Sequence, residues 1–238
     1  MKIVLIGYGK MGKAIEKIAL TEGHEVVLKI GSDNVAELTK AGLQQADVAI
    51  EFSRPETAFA NIQLCLEAGI PVVVGTTGWL DHWEEAKSLC VKQGGALFVA
   101  SNFSVGVNIF FALNRYLAKL MEQQAQYEVT MEEIHHTQKL DAPSGTAITL
   151  AEGILAEISR KKSWVKGDDG NAAEIPIVSK REGQVPGTHK IQYLSEIDTL
   201  TIQHEAHSRE GFARGALQAA GWIIGKKGAF GMSDMLGF

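Results

Sequence analysis

The chain has few cysteines, no excess of basic residues and no long apolar run, and each absence excludes a class of protein. Its two cysteines, Cys65 and Cys90, lie in predicted helices without metal-ligand spacing, which favours buried thiols in a reducing compartment. The net charge of −5 gives no broad basic surface for nucleic acid or anionic lipid. No uncharged stretch reaches the ~20 residues of a membrane helix, and the N-terminus turns to glycine too early for a signal peptide. We therefore expect a soluble, cytoplasmic protein that binds neither nucleic acid nor membrane.

The first half of the chain has the pattern of a parallel α/β domain. Short apolar runs alternate with amphipathic stretches, as strands and crossover helices do around a sheet buried on both faces. The predicted strands are Lys2–Ile6, Glu25–Ile30, Asp47–Phe52, Val72–Gly75 and Ala96–Ala100. The predicted helices are Met11–Glu22, Val35–Ala41, Glu56–Ala68 and His82–Gln93. These elements predict a doubly wound, Rossmann-type nucleotide-binding domain.

The second half changes character, because strands there follow one another with few helices between them. The predicted strands are Glu128–Ile134, Ile175–Lys180, Lys190–Tyr193 and Leu200–His204. The predicted helices are Val107–Met121, Thr146–Ile158 and a last one, Phe212–Ile224, whose small residues suit close packing on a sheet. The polar segment Arg160–Asn171 is predicted to be a loop. The pattern indicates an α+β domain with an antiparallel or mixed sheet.

A glycine motif follows the first predicted strand and opens the first predicted helix. It is the G-x-G-x-x-G sequence Gly7-Tyr8-Gly9-Lys10-Met11-Gly12. In this context the glycines allow a tight turn, a close approach of pyrophosphate and close helix packing, while the helix start offers free amides and a positive dipole end. The motif indicates a dinucleotide cofactor, NADH or NADPH, although a ligand-free turn is the alternative.

Three other turns follow predicted strands at the sheet edge where such folds bind ligands. After the second strand come Ser32 and Asp33, and Asp33 is either a ribose ligand or a helix N-cap. The other turns contain Phe52-Ser53 and Gly75-Thr76-Thr77, which suit a ribose or a nicotinamide. No acidic side chain or arginine is firmly placed at the ribose, so both nucleotides are predicted to be accepted within about tenfold.

The densest set of chemically active residues lies between positions 133 and 147. Two imidazoles, an ammonium, a carboxylate and a helix-starting turn occur together in His135, His136, Lys139, Asp141, Ser144, Gly145 and Thr146. The helix start suits a substrate carboxylate, and adjacent histidines at a strand end point in opposite directions and take different roles. Adjacent histidines rarely reach one ion together, and no Cys or third His lies at ligand spacing, so no metal is expected.

This stretch resembles the signature of the 4-hydroxy-tetrahydrodipicolinate reductase family, also called dihydrodipicolinate reductase. The resemblance runs unbroken through Glu133, His135, His136, Lys139, Asp141, Pro143, Ser144, Gly145, Thr146 and Ala147. The glycine motif and the blocks 75–78 and 101–108 are similar to the family's other blocks in the same order. The resemblance covers essentially the whole chain and implies reduction of 4-hydroxy-tetrahydrodipicolinate by NADH or NADPH with loss of water, on the diaminopimelate route to lysine.

The resemblance also implies a domain layout and residue roles. Residues 1–104 with 210–238 would form the nucleotide-binding domain, and residues 105–209 a domain for substrate binding and oligomerisation in a homotetramer. His135 would be the acid/base residue and Lys139 a proton donor. The small dicarboxylate substrate would be bound by His136, Ser144, Gly145, Thr146 and Arg209. The nicotinamide would be approached by Ala100, Ser101, Asn102 and Phe103.

Two alternatives stay open at this point. A related amino-acid or semialdehyde dehydrogenase could share the layout, but semialdehyde oxidation wants a nucleophilic cysteine, and neither cysteine lies in a glycine-rich turn. A nucleotide-sensing protein without turnover could share the first domain, but it would have no need of the His-His-x-x-Lys cluster.

Overall fold

The computed structural model describes residues 1–208 and 210–238. Its strands are β1 (Lys2–Ile6), β2 (Glu25–Ile30), β3 (Val48–Glu51), β4 (Val72–Val74), β5 (Ala96–Val99), β6 (Glu128–His135), β7 (Ser163–Lys166), β8 (Glu174–Arg181), β9 (Gly187–Leu194), β10 (Thr199–Ala206) and β11 (Gly228–Phe230). Its α-helices are α1 (Lys10–Thr21), α2 (Lys40–Leu43), α3 (Pro55–Glu67), α4 (Trp83–Gln93), α5 (Val105–Met121), α6 (Gly145–Leu155), α7 (Glu210–Ile223) and α8 (Met232–Leu236). None of these helices is both long and apolar enough to span a membrane.

Contacts along the chain define two compact units. The first unit consists of Met1–Val105 and Glu210–Phe238, and the second is Gly106–Arg209. Each unit has its own sheet and its own apolar core.

The first unit is built on a six-stranded sheet in the order β11-β5-β4-β3-β1-β2, with parallel pairing throughout. Its central strands are almost wholly buried because helices cover both faces: α1 and α7 pack on one core, and α3 and α4 on the other. The predicted doubly wound fold is confirmed. Because β2 lies on one side of β1 and β3 on the other, the strand order reverses at β1, which opens a crevice at the carboxyl ends of these strands.

The second unit is built on a five-stranded mixed sheet in the order β10-β9-β6-β8-β7. β9 pairs antiparallel with both β10 and β6, while β6, β8 and β7 run parallel. Alternate residues of β6 and β9 are buried with α5 and α6 in one core. The predicted mixed sheet is confirmed.

The predicted helix at Val35–Ala41 is wrong. The structure has a 3-10 turn at Val35–Glu37, with Asn34 at its N-cap position, and then the separate short helix α2. The hydroxyl of Thr39 accepts a hydrogen bond from the amide of Gly42, which starts α2 afresh and breaks the continuity of the predicted helix. Asp33 is therefore not the residue at the helix N-cap.

The predicted loop at Arg160–Asn171 is also wrong, because it contains β7, which pairs with β8 at the edge of the sheet. An edge strand has one pairing partner and half-exposed side chains, so its polar sequence resembles that of a loop. The helix ending near Ile224 is not the last element, since β11 extends the parallel sheet beside β5 and α8 follows. The other predicted elements differ from the observed ones only at their ends.

Candidate active site

The turn between β1 and α1 is shaped by three glycines with different surroundings. Gly7 has a φ of +94°, and a Cβ atom there would lie 2.1 Å from the carbonyl oxygen of Phe52. A Cβ atom on Gly12 would lie 2.6 Å from the carbonyl oxygen of Gly7, whereas at Gly9 nothing lies within 4 Å. Gly7 and Gly12 are therefore required by packing, and Gly9 borders open space that a pyrophosphate can approach.

A cavity of about 420 Å³ lies beyond the carboxyl ends of β1, β2 and β3. Among the predicted cofactor residues, those that line it are Gly7, Tyr8, Gly9, Ser32, Phe52 and Ser53. Those that do not line it are Lys10, Met11, Gly12, Asp33, Gly75, Thr76, Thr77, Ala100, Ser101, Asn102 and Phe103. Arg54 carries the one charged side chain among the described residues that line the cavity.

Lys29, a cation near this edge, is already paired. Its Nζ lies 3.1 Å from Oε1 of Glu16 and 5.2 Å from the ring centroid of Tyr8. Asp33 is exposed, and its Oδ1 lies only 2.8 Å from the point that a Cβ atom on Gly31 would occupy. The charge of Lys29 is therefore largely compensated, which leaves Arg54 as the cation that faces the cavity.

The turns after β4 and β5 meet the turn after β3 at the same sheet edge. A Cβ atom on Gly75 would lie 2.1 Å from the ring of Phe52, and the rings of Phe52 and Phe103 are 5.6 Å apart. The amide of Ala100 donates to the carbonyl of Val74. The Oγ1 atom of Thr76 is buried without a hydrogen-bond partner in the described part of the chain. The edge thus combines closely approaching backbone with a buried hydroxyl that has no partner among the described residues.

In the second unit, a buried carboxylate faces two imidazoles. Oε2 of Glu133 lies 3.4 Å from Nε2 of His135 and 3.7 Å from Nε2 of His189. The two Nε2 atoms are 3.4 Å apart. This arrangement follows from the strands: Glu133 and His135 share one face of β6, and His189 stands opposite Glu133 on β9.

The buried carboxylate is satisfied on its other sides as well. The amide of Ser144 donates to both oxygens of Glu133 at 3.1 Å, and Nη2 of Arg181 lies 3.3 Å from Oε1. Burial alone would raise the pKa of Glu133, but hydrogen bonds from His135, His189 and Ser144 lower it well below its ordinary value. Burial is also the main cause that lowers the pKa of His189, and the hydrogen bond to Glu133 opposes it. Glu133 is therefore ionised, and His189 tends to stay neutral.

Ser144 connects this cluster to the start of α6. Its hydroxyl accepts a hydrogen bond from the amide of Ala147 and lies 3.2 Å from Nε2 of His189. Gly145 is exposed, with nothing within 4 Å of where its Cβ would be, and Thr146 is half-buried. The helix N-terminus therefore presents open backbone beside the imidazoles, where the helix dipole favours a negative group.

Lys139 and Asp141 form an ion pair in the loop after β6, with Nζ 2.7 Å from Oδ2. The hydrogen bond from Lys139 is the largest cause that lowers the pKa of Asp141. Arg181 donates to the carbonyls of Lys139 and Asp141 and so fastens the loop to β8. His136 is half-buried and interacts with neighbouring groups. Arg209, predicted to bind the substrate, lies outside the described residues.

Glu133, His135 and His189 offer three potential metal ligands within 4.8 Å of one another. Spacing along the chain did not reveal this third histidine. However, the guanidinium of Arg181 and the amide of Ser144 already use the Glu133 carboxylate, and the guanidinium charge opposes a cation. These neighbours suit a network of imidazole protons better than a metal ion.

Sequence reasoning missed the parts played by His189, Glu133 and Arg54. His189 shares the buried face of β9 with Ile191 and Tyr193, so a polar residue in an apolar alternation was the available signal. The pairing of Glu133 with His189 depends on strand register, which the sequence pattern does not supply. Arg54 lies in a turn that was noted for its neighbours Phe52 and Ser53.

A parallel sheet of this order, with a glycine turn at its reversal point and a separate unit that carries the ionisable cluster, defines the class of two-domain nicotinamide-dependent oxidoreductases. The family profile described as dihydrodipicolinate reductase, N-terminus, matches residues 1–103, and the one for the C-terminus matches residues 106–236. The chain belongs to the dihydrodipicolinate reductase family.

Relatives and solved structures agree with this placement. A 4-hydroxy-tetrahydrodipicolinate reductase of Christiangramia forsetii is 50% identical over 236 residues, which cover 99% of this chain and 98% of that protein. One of Neisseria meningitidis serogroup C is 37% identical over 93% of this chain and 84% of that protein. The solved dihydrodipicolinate reductase of Paenisporosarcina, with dipicolinate bound, has a TM-score of 0.78 at 24% identity and covers 98% of both chains. That similarity supports the fold.

Proposed function

We propose that this protein catalyses the reduction of 4-hydroxy-tetrahydrodipicolinate by NADH or NADPH, with loss of water, as a step of lysine and diaminopimelate biosynthesis. The observation that carries the proposal is the identity of 50% to a reductase of that name over almost the full length of both chains. The unbroken signature from Glu133 to Ala147 and the ionised carboxylate behind His135 support it.

The first unit, with the predicted boundaries 1–104 and 210–238, is proposed to bind the nucleotide. The cavity at Gly9, the tight packing at Gly7 and Gly12, and the unused hydroxyl of Thr76 fit a dinucleotide. When bound, the reduced nicotinamide supplies the hydride. The turns after β4 and β5, which contain the predicted residues 75–77 and 100–103, lie at the same sheet edge as the cavity.

The second unit is proposed to bind the small dicarboxylate substrate. The start of α6, with Ser144, Gly145 and Thr146, offers amides, a hydroxyl and the positive end of a helix dipole to one carboxylate. His136 is proposed as a further contact, and so is Arg209, which the structure does not describe.

The proton that balances the hydride is proposed to come from the cluster of the second unit. His135 acts as the acid/base residue, and Nε2 of its imidazole lies 3.4 Å from the Glu133 carboxylate, which orients the ring. Lys139 is proposed to donate a proton from Nζ, which Asp141 orients at 2.7 Å. An incoming substrate carboxylate would compete with Asp141 for that ammonium group.

A cytoplasmic homotetramer is proposed as the working form. The sheet of the second unit has one face packed on helices and another with half-exposed residues such as Thr130 and Gln192, which leaves a face for subunit contact. Exposed apolar residues also follow one stripe of α5, at Ile109, Leu113, Tyr116 and Leu120. The free, buried thiols of Cys65 and Cys90 fit a reducing compartment.

The burial of both cysteines disfavours the semialdehyde dehydrogenase alternative. Burial raises the pKa of the Cys65 thiol far above its ordinary value, and it raises that of Cys90 as well. A thiol that resists ionisation is a poor nucleophile.

A coupled assay tests the proposed function. The substrate is made in situ by condensing aspartate semialdehyde with pyruvate on the corresponding synthase, and NADH or NADPH absorbance is followed. We expect the protein to oxidise the nucleotide only when that condensation product is present. An absorbance trace equal to the synthase-only control would refute the assignment.

A further inference from the structure

Glu133 is a fully buried carboxylate whose hydrogen-bonding groups all come from the second unit. It faces Nε2 of both His135 and His189, while the Ser144 amide and the Arg181 guanidinium occupy its remaining positions. An ionised carboxylate only accepts hydrogen bonds, so a ring nitrogen that donates to it carries a proton, and Nε2 of His135 is the nearer of the two at 3.4 Å. Its charge is already compensated on one side by Arg181, so it can hold neutral imidazoles without forcing both to become charged.

The side of the His135 ring away from the carboxylate is bordered by a glycine. A Cβ atom at Gly187 would lie 3.0 Å from Cε1 and 3.3 Å from Nδ1 of His135. The pairing of β6 with β9 causes this approach, because Ile134 stands opposite Thr188 and the next positions along are His135 and Gly187. A larger residue at 187 would crowd the ring edge that carries Cε1 and Nδ1, and glycine leaves that edge uncrowded.

Other charged groups near His135 come from four neighbouring elements. Glu133 lies on β6, Arg181 ends β8, and His189 lies on β9. The Lys139–Asp141 ion pair follows β6 and is internally compensated. His204 on β10 is a further imidazole, and burial first, then the charge of His189, lowers its pKa. Among these groups, Glu133 is the carboxylate that Nε2 of His135 faces, at 3.4 Å, and Nε2 of His189 lies at the same distance.

We propose that Glu133 and His189 are positioning residues for His135, which fix its ring with the proton on Nε2 and make Nδ1 the atom that exchanges protons with the substrate. The proposal rests on the proposed function for the identity of that substrate. When Nδ1 takes up a proton, the imidazolium that forms is stabilised by the Glu133 carboxylate, and when it gives the proton back, the same Nε2–H form is restored. His189 holds the carboxylate in place through Nε2 and links it to the hydroxyl of Ser144 at 3.2 Å. In the same way, the base of an activated nucleophile is often oriented by a hydrogen bond to a third group.

The first test removes the charge of the Glu133 side chain while keeping its shape. In Glu133→Gln we expect kcat to fall by roughly 10²-fold with KM nearly unchanged. The pH profile of kcat/KM should also differ from that of the native protein, because the group that faces Nε2 of His135 has lost its charge. The matched control is Tyr193→Phe, which removes a buried hydroxyl that has no hydrogen-bond partner among the described residues, on the same strand as His189. The control should keep both kcat and the pH profile of the native protein.

The second test compares two replacements of His189. His189→Gln retains an amide nitrogen that can donate to Glu133 and should keep most of the activity, whereas His189→Ala should lose roughly tenfold or more in kcat. A purely structural role would make the two variants alike in kcat once both are shown to be folded by circular dichroism.

The ring tautomer can be measured without any turnover. Nitrogen-15 NMR of the native protein, labelled at histidine and assigned with His135→Gln, should show the neutral ring of His135 protonated at Nε2. A neutral ring with its proton on Nδ1 would overturn the proposal, and so would a Glu133→Gln variant with the native kcat and the native pH profile. If Glu133→Gln does not fold, the proposal is tested by the tautomer of His135 and by the comparison of His189→Gln with His189→Ala. A native protein that shows no turnover would count against the proposed function instead, since the tautomer measurement stands independently.

Discussion

The cavity of the first unit and the ionisable cluster of the second are built by different means. Backbone shape makes the cavity: Gly7, Gly9 and the ends of three parallel strands line it, with Arg54 as the one charged side chain among its described lining residues. Side-chain pairing makes the cluster, where Glu133, His135 and His189 meet across neighbouring strands. A nucleotide can be bound largely through backbone and shape, whereas proton transfer needs groups whose charge depends on what lies beside them. We therefore expect substitutions in the cluster to leave nucleotide binding intact, and substitutions at the cavity to leave the acid/base groups intact.

The largest separation of the two functions is expected from His135→Ala and Lys139→Ala. Each should lower kcat by roughly 10²-fold or more, because an acid/base group is lost, while the Kd for NADPH stays near the native value. Steady-state kinetics with calorimetry measures both quantities. If either variant kept native kcat, the role assigned to that residue would be wrong. A large loss of nucleotide affinity would show that the cavity and the cluster do not act independently.

Substitutions of Gly7 and Gly9 should have different effects, because Gly7 is packed against backbone and Gly9 borders open space. Gly7→Ala introduces a Cβ atom at positive φ against the backbone of Phe52 and should destabilise the protein by roughly 1–3 kcal/mol from strain alone. Gly9→Ala meets no neighbouring atom and should keep the native Tm while losing nucleotide affinity. The matched control is Gly221→Ala on α7, which also meets nothing and should alter neither quantity adversely. Thermal unfolding and calorimetry give the readouts, and equal affinities for the Gly9→Ala variant and the native protein would argue against pyrophosphate at this turn.

Arg54 should contribute a smaller, nucleotide-selective effect. In Arg54→Gln, kcat/KM for NADPH should fall by roughly tenfold, about 1.4 kcal/mol, with little change for NADH, because only NADPH carries a 2′-phosphate for the guanidinium. Lys29→Gln is the control, since the charge of Lys29 is already paired with Glu16, and it should change the ratio less. Equal losses for the two nucleotides would show that Arg54 does not read the 2′ position.

The smallest expected effect is on acid stability. Burial is the chief cause that lowers the pKa of His189 below its ordinary value of 6.5, so the unfolded chain binds more protons than the folded one as the pH drops below that value. The free energy of unfolding therefore keeps its full value above that pH and decreases as the pH falls below it. In His189→Gln the loss of Tm between about pH 7.5 and about pH 5.5 should be shallower than in the native protein. An equal slope in both proteins would mean that His189 is not held neutral.

The sequence predicted the parallel sheet of the first unit well because its signals are local. Buried strands, turn glycines and helix starts are separated by a few residues, and their order along the chain defines the edge where ligands bind. The edge strand β7 was missed because its half-exposed residues carry no apolar alternation. The helix at Val35–Ala41 was wrong because the side chain of Thr39 starts a new helix where propensity alone predicts a continuous one.

The candidate site of the second unit was predictable only in part. His135, Lys139 and the start of α6 follow one another in a single stretch, so the motif reveals them. His189 is 54 residues from His135, and their meeting depends on the register of β6 with β9. Register is set by packing of the whole sheet and is not encoded in any one stretch.

The proposed function requires that a reduced nicotinamide nucleotide transfers its hydride to 4-hydroxy-tetrahydrodipicolinate on this protein. The most direct measurement uses NADPH deuterated at the transferred position, with the substrate generated in situ, and mass spectrometry of the product. We expect one deuterium in each tetrahydrodipicolinate molecule formed by the native protein and a strongly reduced yield with Lys139→Ala. Product that forms without deuterium, or nucleotide oxidation with no labelled product, would contradict it.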